Sequence, residues 1–195
     1  VLEEVGRTVA QVPALPVMGM AAPFLAEHSP KHLAGLASGE RIVTVAIHDL
    51  VGDIHTPFLA AKGGVLDGVK TNVPFGTVAD GFIVSAADGI YYIDAKANGV
   101  TVERQGATDG IPDAKVTFSG AAAEKIAGLD ALDRLIEYGQ TSQALLMAGV
   151  TAQAVEIMSA YVKERVQFDR QIATFQAVAQ RAAECRIDAD AIKLT

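Results

Sequence analysis

Residues 161–176 read Tyr-Val-Lys-Glu-Arg-Val-Gln-Phe-Asp-Arg-Gln-Ile-Ala-Thr-Phe-Gln. This short stretch gathers Arg165, Gln167, Phe168 and Gln176. A guanidinium is always charged, and its planar fork of donors matches phosphate oxygens. An aromatic ring beside it offers a face to a flat heterocycle, and the two amides add donors and acceptors. Together they suit a ligand that is anionic at one end and planar at the other. Taken alone, the same residues also read as a helix–loop–helix turn, with Arg165 solvated and Phe168 capping the interhelix core.

Other reactive side chains are scattered. His28 and His32 are four apart and share a helix face, but no third ligand accompanies them, so they read as a surface pair. His48, Asp49, Asp53 and His55 form a polar cluster in a loop, which reads as the border of a binding site rather than a metal centre. Cys185 falls on an apolar helical stripe with only Arg186 beside it, the setting of a structural thiol. Gly63-Gly64 reads as a turn, and the sequence has neither a phosphate-binding Gly-rich loop nor a G-x-S-x-G nucleophile motif.

Three zones must position these residues, and together they predict an α+β chain. Residues 1–38 read as the end of a helical domain. Ser29-Pro30 supplies an N-cap and a first-turn proline, Gly39 ends that helix, and the prolines between Val12 and Pro23 predict short kinked pieces. Residues 39–119 read as a small β-domain with strands at Arg41–Ile47, Val69–Val73, Phe82–Ser85, Ile90–Ile93, Val100–Glu103 and Lys115–Phe118. Asp67-Gly68, Asp80-Gly81, Asp88-Gly89, Asn98-Gly99 and Asp109-Gly110 mark turns between them. Short strands at this spacing predict an antiparallel barrel or sandwich.

Residues 120–195 switch to helical periodicity. Leu132, Leu135, Ile136, Leu145, Leu146, Val150, Val155, Met158 and Val162 fit one long amphipathic helix. Phe175, Val178, Ala182, Cys185, Ala189 and Ile192 fit a second. Their short link predicts an antiparallel pair, the start of a helical bundle.

Bulk properties narrow the classes. A net charge of −7 disfavours nucleic-acid binding, which needs a basic face. The single cysteine excludes an internal disulfide framework and fits a reducing, cytoplasmic setting. No apolar run approaches the roughly 18–20 residues that cross a bilayer, so no membrane span is expected. The proline-interrupted stretch from Val12 to Leu25 makes a poor signal peptide. The chain opens on Val1 rather than Met and stops within a helical pattern, so it is expected to be a piece of a longer protein.

The order helix, small β-domain, long helices is that of acyl-CoA dehydrogenases. Glu164-Arg165-Val-Gln167-Phe168-Asp-Arg-Gln-Ile172-Ala-Thr-Phe175-Gln176 resembles that family's E-R-x-Q-F-G-x-P-I-x-x-F-Q signature, with Asp169 for the usual Gly and Gln171 for the common Pro. Leu36 to Glu40 resembles its L-x-x-G-E, and Leu66-Asp-Gly68-Val-Lys70 its L-x-G-x-K. Ala79-Asp80 with Phe82-Ile-Val84 resembles its A-D-x-x-x-V strand, and Asp113 to Phe118 its last β-domain strand.

The resemblance implies FAD-dependent α,β-dehydrogenation of an acyl-CoA thioester, with electron-transfer flavoprotein or another acceptor downstream. It implies that Arg165 pairs with the FAD pyrophosphate, Gln167 and Gln176 add polar contacts, and Phe168 lies against the adenosine half. The flavin they reach would be held mainly by a neighbouring subunit, so an oligomer is implied. On the isoalloxazine side, the implied contacts fall at Ile47 and His48 in the first loop and at Val73 and Pro74 in the second.

Those two loops depart from the family. Ile47–Ile54 lacks the Ser/Thr and Glu of T/S-E-P-x-x-G-S-D. Asn72-Val-Pro-Phe-Gly76 replaces W-I-T/S-N, the chain contains no Trp, and Pro74 removes a backbone donor. The catalytic carboxylate has no counterpart either. The position for it on the long helix falls at Gly139 beside Gln140, and Glu137 reads instead as a solvated partner of Arg134. V-P-F-G in the second loop resembles an actinobacterial subgroup acting on CoA thioesters of bulky or steroid substrates, some of whose members are heteromeric. Two expectations follow: a catalytic subunit whose base lies beyond residue 195, or a non-catalytic partner completing another chain's flavin site. An unrelated β-plus-helix binding domain is a third.

Overall fold

The computed structural model describes residues 1–108 and 110–194. They divide into two compact units, Pro13–Gln140 and Val1–Val12 with Thr141–Thr195.

In the larger unit a π-helix, Ala14–Ala21, leads into α2 (Ala22–His28) and α3 (Pro30–Ala37). Pro13 and Pro16 fall at the N-cap and in the first turn of the π-helix, where a missing amide proton costs no helical hydrogen bond. Pro30 opens α3, but Ser29 makes no side-chain cap; its backbone carbonyl accepts from the His32 amide at 3.0 Å. Gly39, at φ +78°, ends the helix as expected.

The β-domain is two sheets rather than a closed barrel. One sheet runs β1 (Val43–Ala46), β5 (Gly81–Ala86), β6 (Gly89–Asp94), β9 (Glu124–Gly128). The other runs β2 (His48–Asp49), β4 (Val65–Val73), β8 (Ala114–Ala122), β7 (Val100–Arg104), with β3 (Ala60–Lys62) also on β4. The expected antiparallel pattern holds except at β1, which pairs parallel with β5, Val43 opposite Gly81. The chain changes sheets at Ile47, between β1 and β2.

Period-2 alternation explains the packing. Val43, Val45, Ile83, Ile90 and Tyr92 face Met20, Phe24, Leu25, Leu132, Leu135 and Ile136. Ala46, Phe82, Val84, Tyr91 and Ile93 face Leu66, Val73, Val116 and Phe118, closing the sandwich. Gly63 and Gly64, both at positive φ, make the expected two-residue turn between β3 and β4. Asp67-Gly68, expected as a turn, lies inside β4 opposite a bulge in β8: Leu66 pairs with Ala121 and Gly68 with Phe118, so Ser119 and Gly120 together face Asp67, whose Oδ1 accepts from the Gly120 amide at 2.7 Å. The Asp109-Gly110 turn rests on Asp109, outside the described residues.

The smaller unit holds α1 (Leu2–Thr8), the later part of α4 (Leu132–Glu164) and α5 (Gln176–Leu194). Here α1 meets α4 backbone to backbone. A Cβ on Gly6 would fall 2.1 Å from the Leu146 carbonyl oxygen, and one on Gly149 would fall 1.9 Å from that of Glu3. Arg7–Glu156 at 2.8 Å and Lys193–Glu3 at 2.8 Å fasten α1 to both long helices. Arg186 lies beside Ser159 and Lys163, whereas Lys193 reaches the residue packed on Gly149, so α5 runs antiparallel to α4.

The α5 stripe is as expected: Ala189 is buried, and Phe175, Val178, Ala182, Cys185 and Ile192 are half-buried. The α4 stripe differs. Val155 is buried, but Leu145 and Val150 are 45% and 43% exposed, because close approach of α1 selects the small residues Ala148 and Gly149 for the inner face. Among the described residues, the helical run Leu129–Glu164 is long and apolar enough to cross a bilayer by length and composition, which corrects the expectation that no segment is. Residues 138–155 carry no charge, so their scattered Gln, Ser and Thr do not break the run.

Candidate functional site

At the end of α4 the Arg165 amide still donates to the Tyr161 carbonyl at 2.9 Å, while the Arg165 carbonyl accepts from Ile172 at 2.9 Å. Between these points the chain folds back as a minimal hairpin, β10 (Val166–Gln167) against β11 (Arg170–Gln171). Its turn residues, Phe168 and Asp169, take φ +53° and +60°. Two left-handed residues in succession give the twist a two-residue hairpin needs, but Phe is strained there. At the tip of this turn the Phe168 ring is left outward, 87% exposed.

Two contacts prop the turn. Phe175 meets Phe168 edge-on at 6.2 Å, and the Arg170 guanidinium lies 4.0 Å from the Phe175 ring centre. Arg165, Gln167 and Gln176 are all exposed, and the Arg165 side chain has no ion-pair partner among the described residues. The structure therefore places Arg165, Gln167 and Phe168 on one hairpin, with Gln176 opening the next helix. A free guanidinium beside an outward aromatic ring fits the phosphate and adenosine parts of FAD in charge and shape.

The other four predicted contacts belong to the larger unit. Ile47 and Val73 bury their side chains in the core, leaving only their backbones for a ligand. Pro74 is half-buried, and its carbonyl accepts from Thr44 Oγ1 at 2.6 Å. His48 pairs with Thr71 across β2 and β4. Its imidazole keeps an exposed face, yet shielding by neighbouring atoms and then the nearby Lys70 charge hold it below 6.5, against an opposing pull from Asp49.

Several features of these loops escaped the sequence reading. Asn72 and Phe75 both adopt left-handed backbone, at φ +49° and +54°. Asn72 is held by a reciprocal amide pair: its N–H donates to Gln105 Oε1 at 2.9 Å, and Gln105 Nε2 donates to Asn72 Oδ1 at 2.8 Å. Lys70 is fully buried, with Nζ 2.9 Å from Asp49 Oδ1 and donating to Ser85 Oγ at 3.1 Å. The inward parity Lys70 shares with Leu66 was the available signal; the register shift between Lys70 and Val73 breaks that parity before the next buried residue of the strand.

The remaining candidates fall away. His28 lies tilted against Phe24 at 4.5 Å, and His32 stacks on Tyr92 at 3.6 Å while also meeting Glu124. Among the described residues no group of three or more His, Cys, Asp or Glu could hold a metal ion. His55 pairs with Asp133 at 3.0 Å, and Glu137 with Arg134 at 3.3 Å. Met20 fills the space at Gly139, and Cys185 is half-buried on α5.

Short helices, a two-sheet β-domain and a helix hairpin offering arginine and phenylalanine define the acyl-CoA dehydrogenase architecture, and comparison with known proteins agrees. Residues 127–195 match the family described as acyl-CoA dehydrogenase, C-terminal domain. Acyl-CoA dehydrogenase FadE27 of Mycobacterium tuberculosis is 32% identical over the whole of this chain, which spans 56% of that relative. FadE28 of the same organism is 31% identical over 99% of the chain, which spans 59% of it. A variant of the Tcur3481–Tcur3483 steroid ACAD superposes with TM-score 0.90 at 35% identity, covering 99% of this chain and 56% of that one. The chain belongs to the acyl-CoA dehydrogenase family of oxidoreductases, whose cofactor is FAD. It spans little more than half the length of these relatives.

Proposed function

We propose that the full-length protein carries out FAD-dependent α,β-dehydrogenation of an acyl-CoA thioester in an assembly of related subunits. The observation that carries this reading is the hairpin: Phe168 outward at a left-handed turn, beside an Arg165 with no ion-pair partner among the described residues. Arg165 binds the pyrophosphate oxygens, Gln167 and Gln176 orient them, and Phe168 covers the adenosine half. When bound, FAD supplies the two-electron acceptor. The flavin that the hairpin reaches is one held mainly by a neighbouring subunit, whereas the loops at 47–54 and 72–76 would face the isoalloxazine and substrate of this subunit's own site, with backbone rather than side-chain contacts at Ile47 and Val73. The base that takes the α-proton lies outside this chain, since Gly139 and Gln140 offer none. Likeness to the steroid ACAD and to the ChsE4–ChsE5 complex of Mycobacterium tuberculosis, at 30% identity and TM-score 0.87, supports a bulky, steroid-type thioester and a heteromeric partner. Electron-transfer flavoprotein or a similar acceptor would reoxidise the flavin, and the lone cysteine supports a cytoplasmic setting.

A second reading has a specific observation in its favour. The Asn72 amide is already taken by Gln105 and Pro74 has none to offer, so the second loop presents few donors to a flavin. On that reading the chain completes a flavin site held by its partner and binds none in its own β-domain. The visible spectrum of the purified full-length protein separates the two. A stoichiometric flavin band from this subunit alone sinks the partner reading. Flavin that appears only on mixing with a related subunit sinks the stand-alone one. No flavin and no acyl-CoA oxidation in either case overturns both.

A further inference from the structure

Lys70 is a charged side chain with no exposed surface, held in a sandwich of apolar residues. Burying an ammonium is costly, and a well-packed apolar residue would often serve stability as well. Its contacts show what it does instead. Nζ lies 2.9 Å from Asp49 Oδ1 and donates to Ser85 Oγ at 3.1 Å; Ser85 Oγ in turn donates to the Ile47 carbonyl at 3.4 Å. The second Asp49 oxygen, Oδ2, accepts from the Phe58 amide at 2.8 Å, and Thr71 Oγ1 donates to the Asp49 carbonyl at 3.3 Å. One buried cation thus ties Ile47 and Asp49, the two flanks of His48, and through Asp49 the far end of the loop at Phe58. The loop between carries Leu50 and Val51 outward, and Gly52, at φ +106°, turns where a Cβ would fall 2.3 Å from the Phe58 ring.

We infer that Lys70 is a positioning residue, a buried latch that closes the 49–58 loop at its base and fixes the backbone of His48 toward the flavin and substrate. This rests on the function proposed above. Lys70 itself touches neither ligand; it acts through Asp49 and Ser85.

The test uses the full-length protein assembled with its partner. Lys70→Met leaves Asp49 buried without its cation, so the double variant Asp49→Leu/Lys70→Met is made beside it to remove both charges. The latch predicts that near neutral pH the double variant keeps the wild-type unfolding midpoint and its FAD content. Its kcat/KM for the acyl-CoA should nevertheless fall at least about tenfold, since a misplacement of roughly 1 Å can cost about a hundredfold. The visible band of the bound flavin should shift as well. A double variant with wild-type kcat/KM and spectrum overturns the inference. Hydrogen exchange on the wild-type protein gives a second reading that needs no variant: the Phe58 amide should be protected like those of β4, and free exchange there overturns the latch. If the wild-type assembly neither holds FAD nor oxidises acyl-CoA, the proposed function fails, and the latch is judged by Phe58 exchange alone.

Discussion

The guanidinium of Arg170 lies 4.0 Å from the ring centre of Phe175, and that ring also meets Phe168 in a T-shaped pair at 6.2 Å. The exposed Phe168 is therefore held from behind by two side chains that need not touch a ligand. Phe175→Leu keeps an apolar residue but loses both ring contacts, worth about 1 kcal/mol together. FAD dissociation, followed by fluorescence of released flavin, should weaken roughly fivefold while the helix pair stays folded. Unchanged affinity would show that the prop is dispensable.

Arg165 offers charge-assisted hydrogen bonds, each worth about 1.5–3 kcal/mol. Arg165→Ala should raise the dissociation constant for FAD at least about tenfold, with circular dichroism unaltered. Arg165→Lys should recover part of the loss, because a point charge replaces a planar fork. Equal flavin retention in wild type and the Ala variant would remove Arg165 from the site.

Burial holds the Lys70 ammonium below its usual 10.5, with Asp49 only partly opposing. The folded state thus binds this proton less tightly than the unfolded chain. Between the lowered folded value and 10.5 the unfolded chain carries more protons, so stability rises with pH across that window. Tyr91 and Tyr92, raised above 10.0 mainly by burial, act in the opposite sense at higher pH, so the rise is read below 10.0. Urea midpoints measured up to that pH should climb in wild type and stay flat in the double variant. Lys70→Met alone, leaving Asp49 unpaired, should lose about 3–5 kcal/mol near neutrality.

In an exposed helix interior Gly→Ala gains about 1 kcal/mol. At Gly149 the sign should reverse, because the added methyl meets the Glu3 carbonyl oxygen at 1.9 Å and displaces α1. Gly149→Ala should cost roughly 1–3 kcal/mol, the usual range for overpacking. A thermal midpoint above wild type would mean that α1 does not pack on α4 in solution.

Strand and helix order was legible because period 2 gives way to period 3.6 in this chain, and hydrophobic burial enforces both. The α5 stripe from Phe175 to Ile192 was read correctly for that reason. The α4 stripe was misread at Leu145 and Val150, since apolar periodicity cannot reveal that Gly149 and Ala148 are the residues another helix approaches. The parallel pairing of β1 with β5 and the β8 bulge opposite Asp67 depend on long-range register, which local patterns do not encode. The hairpin residues stood out because Arg165, Gln167 and Phe168 are neighbours in sequence. The Lys70–Asp49 and Asn72–Gln105 pairs join residues 21 and 33 positions apart, and only the folded sheets bring them together.

The amide pair between Asn72 and Gln105 has no net charge and nothing to titrate. The Arg165 charge acts through a field that physiological salt largely screens beyond about 8 Å and that stronger salt screens at shorter range. Ionic strength should therefore act on this protein selectively. On the proposed reading, concentrated salt should weaken the grip of Arg165 on an anionic cofactor while leaving the shape of the Asn72–Gly76 loop untouched.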